Sequence, residues 1–326
     1  MKKLLTLLIS LMLLLSLAAC GKKAEEPNDK TEDKVFNVGV IQLVEHNALD
    51  AATKGFKDVL VEKLGDKVNV DVQNAQNQGE ICSTIANGFV SNNYDLIMGN
   101  ATAALLAART ATDSIPVLGT SVTDYASALE LSLVDGATGI NVSGTSDGVP
   151  AQAYVDCLLE TVPNAKKVVV VYCSAEPNSV KQSDDFVAAM AATNPEVEVI
   201  VATFNDSNDI QSVVTAAIEG VDAMYIPTDN TAASNMTIIN NICEPSKLPV
   251  ICGEEGMCSE GGTATVSISY YNIGRVCGEM AYEILVNGAD VSKLPIGYDN
   301  EPVKKYNAKN VAAIGIEVPA GYTAIE

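Results

Sequence analysis

Val35-Phe36-Asn37-Val38-Gly39-Val40-Ile41-Gln42-Leu43-Val44-Glu45-His46-Asn47-Ala48-Leu49-Asp50 is the stretch whose reading decides the fold. A short β-branched apolar run ends at Ile41 and a polar patch follows. Then Leu49, Ala52, Phe56, Val59 and Leu60 recur at helical spacing, while Lys54, Lys57, Asp58 and Glu62 stay on the wet side. A buried strand leading into an amphipathic helix is half of a βαβ unit. Ligands of open parallel sheets lie outside the carboxyl ends of the strands, where helix N-termini present unpaired N–H groups, so Gln42 to Asn47 falls where a small molecule is met.

The same unit recurs along the chain. Val68 to Val72, Tyr94 to Asn100 and Ile115 to Gly119 read as strands, with helix faces at Ile81, Ile85, Ala86 and Phe89 and over Ala103 to Ala111. Gly139 to Asp147 is a Gly/Ser-punctuated link before a helix from about Pro150 to Thr161. The plan then restarts with the strand Lys166 to Cys173, a helix opened by Glu176-Pro177-Asn178-Ser179, and the strands Val197 to Ala202, Asp222 to Ile226 and Pro249 to Cys252. Alternating strands and helices predict an α/β architecture of two lobes with parallel sheets. Thr263 to Ser269 and Leu294 to Tyr298 read as two further crossings, which makes a multi-strand hinge. The expected division is residues 35–141 plus 270–291 for the first lobe and 142–269 plus 292–326 for the second.

What precedes Val35 bears on location. Lys2-Lys3, an apolar run from Leu4 to Leu17 and Leu17-Ala18-Ala19-Cys20-Gly21 have the regions of a secretory signal over 1–19. A spanning helix asks for roughly 20 apolar residues, more than this run offers. A cysteine after Leu-Ala-Ala resembles the lipobox of bacterial lipoproteins, which implies a diacylglyceryl Cys20 as the new N-terminus. Two acyl chains suffice for stable attachment. Residues 20–34 are polar and charged, contain Pro27 and have almost no apolar residue, so they read as a lipidated flexible tether. The formal net charge of −21 repels nucleic acid and directs attention to small molecules and a membrane protein as partners.

A resemblance emerges from several pieces together: Gly39-Val40-Ile41-Gln42 with Glu45-His46, Thr123-Asp124, Asn141-Val142-Ser143-Gly144-Thr145-Ser146-Asp147, Asn178-Ser179, Pro227-Thr228-Asp229-Asn230 and Gly274-Arg275. Their order resembles the ABC-transporter substrate-binding lipoproteins grouped around tryptophan/tyrosine-binding proteins. That resemblance implies the type I periplasmic-binding-protein fold, with two Rossmann-like lobes closing by hinge motion on an amino acid. It also implies delivery to a membrane permease by an extracytoplasmic, membrane-anchored monomer without cofactor. Binding of a nucleoside or sugar on the same fold, and a lipid-anchored sensor, remain alternatives.

A zwitterionic amino acid needs donors for its carboxylate and an acid for its ammonium. Thr102 and Thr123 stand in the right loops for the first task, and Asp147 and Asp229 for the second. Gln42, Asn178 and Asn230 offer neutral partners, while His46, Tyr125, Tyr225 and Tyr270 offer flat surface. Glu45, Asp124, Thr145 and Ser179 complete the candidate set through the motifs, and Glu254 in Gly253-Glu254-Glu255-Gly256 adds an acid after a second-lobe strand. Each has a plainer reading, since Asp147 and Asn178 suit helix caps and Tyr225 suits a core. His46 is the only histidine, which disfavours acid–base catalysis, and no nucleophile elbow, phosphate loop or metal-ligand spacing occurs. Excluding Cys20, the cysteines read as small buried apolar groups, with a Cys252–Cys258 disulfide as the alternative.

Overall fold

The computed structural model describes residues 34–299, 301–318 and 320–325. The expected leader, the lipidation site Cys20 and all but the last residue of the tether lie outside the described residues. Among the described residues no helix is long and apolar enough to cross a membrane.

The chain runs β1 (Phe36–Gln42), α1 (Asn47–Leu64), β2 (Val68–Asn74), α2 (Gly79–Ser91), β3 (Leu96–Asn100), α3 (Thr102–Ala111), β4 (Val117–Val122), α4 (Tyr125–Ala128) and β5 (Val142–Ser146). It crosses to α5 (Ala151–Thr161), β6 (Lys167–Cys173), α6 (Pro177–Thr193), β7 (Glu198–Phe204), α7 (Ile210–Ala217) and β8 (Ala223–Ile226). There follow α8 (Asn230–Ala233), α9 (Met236–Cys243), β9 (Val250–Cys252), α10 (Glu255–Ser259) and β10 (Ala264–Ser267). It returns through α11 (Tyr270–Asn287) and β11 (Gly297–Tyr298), and finishes with β12 (Val303–Tyr306), α12 (Ala308–Ile314) and β13 (Thr323–Ala324).

One sheet has six strands in the order β11-β5-β4-β3-β1-β2, the other seven in the order β13-β12-β10-β9-β8-β6-β7. All neighbours are parallel except β10 and β12. The two-residue period of a strand places Val38 and Val40 of β1 against Phe56, Leu60 and Cys277 on one face, and Ile41 against Phe89 and Leu105 on the other. In β6, Val168 and Val170 join Tyr154 and Phe186, while Val169 and Val171 join Ile210 and Met236. Both sheets are therefore covered on both faces, the condition that suits parallel strands. The cysteines Cys82, Cys157, Cys173, Cys243, Cys252, Cys258 and Cys277 are free and buried, which leaves the Cys252–Cys258 disulfide unformed.

The lobe boundaries differ from the sequence reading. Val142 to Ser146 pairs with β4 and with Gly297–Tyr298, so both segments belong to the first sheet and the chain crosses at 147–150, at 268–269 and again between Tyr298 and Val303. The Gly and Ser residues that read as a linker are a fully buried strand. Small side chains are needed there, because a Cβ on Gly144 would stand 2.0 Å from the Gly119 carbonyl oxygen. The elements after Tyr298 were not foreseen: β12 is short, partly exposed and carries lysines at its centre.

The first lobe is locked by the parallel contact of α1 and α11, which the chain forms only after visiting the second lobe. A Cβ on Gly274 would lie 2.0 Å from the Ala52 carbonyl oxygen, and one on Gly55 2.1 Å from that of Tyr271. Backbones touch there and nothing flexible can yield. Gly274→Ala is accordingly expected to destabilise the protein by about 1–3 kcal/mol, read as a lower denaturant midpoint. An unchanged midpoint would show that the two helices separate freely.

Candidate functional site

The loops after β1, β4, β5, β6 and β8 all leave carboxyl ends of strands and meet between the lobes. His46, Leu49, Ser121, Thr123, Asp147, Asn178, Thr228, Asn230 and Tyr270 line a tight inner cavity of about 10 Å³ there. A wider recess shares Thr123 and Asn178 with it and is lined further by Thr102, Asp124, Ala128, Pro177 and Val180. Among the described residues four side-chain hydrogen bonds cross the cleft. His46 Nε2 lies 3.2 Å from Asn230 Oδ1, Asn77 Nδ2 donates to Thr231 Oγ1 at 2.8 Å, Asn47 Nδ2 to Glu260 Oε1 at 3.1 Å and Gln182 Nε2 to Thr123 Oγ1 at 2.9 Å. The lobes are closed.

Asp147 is the only charged residue lining the inner cavity. It is 4% exposed, and its Oδ2 accepts from the Tyr270 hydroxyl at 2.8 Å. Its Oδ1 has no partner. Burial pushes its pKa above the usual carboxylate range, opposed by the Tyr270 hydrogen bond and then by the nearby Thr123 hydroxyl. Ser121 Oγ and His46 Nδ1 are buried without partners too, so three of the five such side-chain atoms found among the described residues belong to this one cavity. Ser121 reaches it through a β-bulge that shifts the register of β4 and places the residue at φ +55°. Ala101, just before α3, has φ +87° in the mostly glycine-restricted region, a second strained position at the cleft.

Several sequence candidates do other work. Gln42 lies beneath the cavity, donating to Asp50 Oδ1 at 2.5 Å and accepting from Thr53 Oγ1 at 2.7 Å. Glu45 is exposed in a shallow surface recess that it shares with Met236 and Thr237. Asp124 caps α4 through the Ser127 N–H, and Thr145 Oγ1 donates to the Ile273 carbonyl. Asp229 accepts from the backbone N–H groups of Ala232 and Cys173, both at 2.7 Å, with Ser179 bonded beside it. Asp229 does not line the inner cavity, so it is not placed to meet a ligand ammonium there. Tyr225 is stacked on Phe186 at 4.2 Å in the second-lobe core, and Tyr125 is buried with its hydroxyl on the Thr145 carbonyl. Glu254 caps α10 through Gly256 and Met257, and burial pushes it up to about 7. His46, Thr123, Asp147, Asn178, Asn230 and Tyr270 do meet at the cavity, while Thr102 faces the wider recess.

The sequence reading missed Ser121, Thr228 and Glu176. Only the bulge exposes Ser121. Glu176 had a visible signal, an acid at a strand end before Pro177 at a helix start. It accepts from the N–H and Nδ2 of Asn230 at 3.0 and 2.7 Å and from the N–H and Oγ1 of Thr231 at 2.8 and 2.7 Å.

A family model described as ABC transporter substrate binding protein matches residues 37–321. The chain is 36% identical over 304 residues to the tyrosine-binding protein of Clostridioides difficile strain R20291, covering 90% of this chain and 87% of that one. Among solved structures it resembles an ABC domain in complex with L-Trp from Streptococcus pneumoniae, at 31% identity and TM-score 0.83, covering 90% of this chain and all of the other. It also resembles the ligand-free, open structure of a substrate-binding protein with adhesive properties from Clostridium difficile, at 35% identity and TM-score 0.68, covering 90% and 99%. The more similar sequence superposes less well. The lobe arrangement is thus nearer that of the L-Trp complex than that of the open protein.

Glu254 and Asp229 hold protons more tightly in the folded chain than in the unfolded one, the second because of burial and the neighbouring Glu176. Between about pH 5.5 and 7.5 the native state therefore keeps protons that the unfolded chain has released, and stability falls as pH rises. His46, lowered by burial, acts oppositely as one group. The melting temperature of ligand-free protein should be lower at the upper end of this window, with a smaller difference in Glu254→Gln. A rise with pH in both proteins would show these acids ionised in the folded state.

Proposed function

The chain belongs to the family of ABC transporter substrate-binding proteins, and from that premise we propose that it captures an aromatic amino acid between its lobes for a membrane permease. The observation that carries this is the convergence of Asp147 Oδ1, His46 Nδ1 and Ser121 Oγ, all buried and unpartnered, on one cavity that lacks lysine and arginine. An unpartnered buried carboxylate costs several kcal/mol, and an ammonium removes that cost by supplying both charge and donors. Ser121 and Thr123 give the ligand carboxylate hydroxyl donors, and the adjoining recess along Thr102, Ala128, Pro177 and Val180 accepts a ring. The names of the relatives, one tyrosine-binding and one bound to L-Trp, support an aromatic ligand.

The ligand bridges both lobes and so binds the closed state better, which shifts the hinge equilibrium toward it. Family membership makes the protein extracytoplasmic, and such proteins are generally not enzymes. The lipobox-like Leu17-Ala18-Ala19-Cys20 adds an anchored monomer, lipidated at Cys20 and tethered by residues 20–34.

Calorimetry against L-tyrosine, L-tryptophan and L-phenylalanine should find binding by at least one. At 100 times the dissociation constant that ligand would add about 2.7 kcal/mol to stability. Asp147→Asn should weaken binding by roughly a hundredfold, as expected when one member of a buried charge pair is removed. A change within about threefold, below 1 kcal/mol, would place the ammonium elsewhere.

A further inference from the structure

The histidine of the cavity is held in a way that specifies which of its nitrogens carries hydrogen, an inference that rests on the cavity being the ligand site. Asn230 Nδ2 is 2.7 Å from Glu176 Oε2. The same Oε2 accepts from the Asn230 backbone N–H at 3.0 Å and so acts as an acceptor, and the amide must turn its Nδ2 toward Glu176 and its Oδ1 toward His46. Oδ1 in turn only accepts, so His46 Nε2, 3.2 Å away, must carry a hydrogen. Glu176 cannot relax this order, because the Asn230 and Thr231 backbone N–H groups and the Thr231 hydroxyl also converge on it.

A neutral imidazole carries one N–H, which leaves Nδ1 as a bare lone pair. It is buried and unpartnered. Burial holds the ring below its ordinary pKa, against the pull of Asn230, Asp50 on α1 and Glu176 on the second lobe, so the neutral form persists. Asp147 on the first crossing and Tyr270 at the start of α11 face the same cavity, and among the described residues no lysine or arginine lines it. The ring also joins the lobes, since His46 follows β1 and Asn230 opens α8.

We propose that Glu176 and Asn230 are positioning residues that fix His46 as its Nε2–H tautomer across the closed lobes, so that Nδ1 accepts a hydrogen bond from the ligand. The cavity thus demands two donor hydrogens of its occupant, one for Asp147 Oδ1 and one for His46 Nδ1. Ligands with a single donor at these positions leave one buried acceptor bare and are rejected. Because the second lobe supplies the partner that sets the tautomer, an open protein has no such preference.

The chain has one histidine, so ring-¹⁵N NMR reports on this residue alone. The probe is full-length soluble protein saturated with whichever of tyrosine, tryptophan or phenylalanine binds by calorimetry. The expected result near neutral pH is hydrogen on Nε2, none on Nδ1, and a Nδ1 resonance displaced by an accepted hydrogen bond relative to the ligand-free protein. In Glu176→Gln the new amide donor turns the Asn230 amide over, so the tautomer swaps or mixes and affinity falls at least about tenfold, equivalent to 1.4 kcal/mol. His46→Phe keeps the ring shape without an acceptor and is expected to bind at least about tenfold more weakly, which tests the contact should Glu176→Gln fail to fold.

Hydrogen on Nδ1, an imidazolium in the loaded protein, an unchanged tautomer in folded Glu176→Gln, or wild-type affinity in His46→Phe each overturns the proposal while leaving amino acid capture intact. Absence of binding by all three amino acids overturns that capture and this proposal with it.

Discussion

A carboxylate kept out of water with one oxygen unpartnered is the constraint on which the arrangement of the two lobes depends. Asp147 stands on the first crossing, its Oδ2 held by Tyr270, the first residue of α11 just after the second. Closing the lobes removes its remaining solvent, at a cost of several kcal/mol. The four hydrogen bonds that span the cleft each contribute about 1 kcal/mol net, so together they are of the same order as that penalty. Empty closure is therefore near balance, and an occupant that neutralises Asp147 decides the outcome.

This balance needs rigid platforms. Parallel strands covered on both faces deliver every loop of the site from a fixed edge, and the contact between α1 and α11 forbids slippage because it is made backbone to backbone. Beneath the cavity, Gln42, Thr53 and Asn100 form a buried network in which Asn100 Nδ2 holds both the Leu49 carbonyl and Thr53 Oγ1. The start of α1 is thus fixed and His46 with it. Opposite, Glu176 orders the first residues of α8. Strain at Ala101 and Ser121 persists because the surrounding strands over-determine both positions.

The candidates that failed share a physical cause. Asp229 and Glu254 follow strands in the polar loops where ligand groups are sought, and each instead satisfies the orphan N–H groups that open the next helix, while Asp124 caps α4 and still lines the wider recess. Capping and ligand contact ask for the same residue type at the same place. Tyr225 near the end of β8 and Tyr125 at the start of α4 turn inward rather than toward the cleft, held by Phe186 and by the Thr145 carbonyl. Glu176 was overlooked because its partners, Asn230 and Thr231, are 54 and 55 residues away.

The sequence by itself determined the two-lobed α/β plan, the parallel sheets and the edge where a ligand is met, since apolar periodicity and strand-to-loop transitions are local properties written within a few residues. It also carried the family resemblance through its spaced motifs. Tertiary structure alone decided that Val142–Ser146 is a core strand, that Asp147 has a free oxygen while Asp229 has none, and that Ser121 and His46 turn unpartnered atoms into one cavity. Those outcomes depend on which distant backbone groups reach each polar atom first, and only closure of the whole chain brings those groups together.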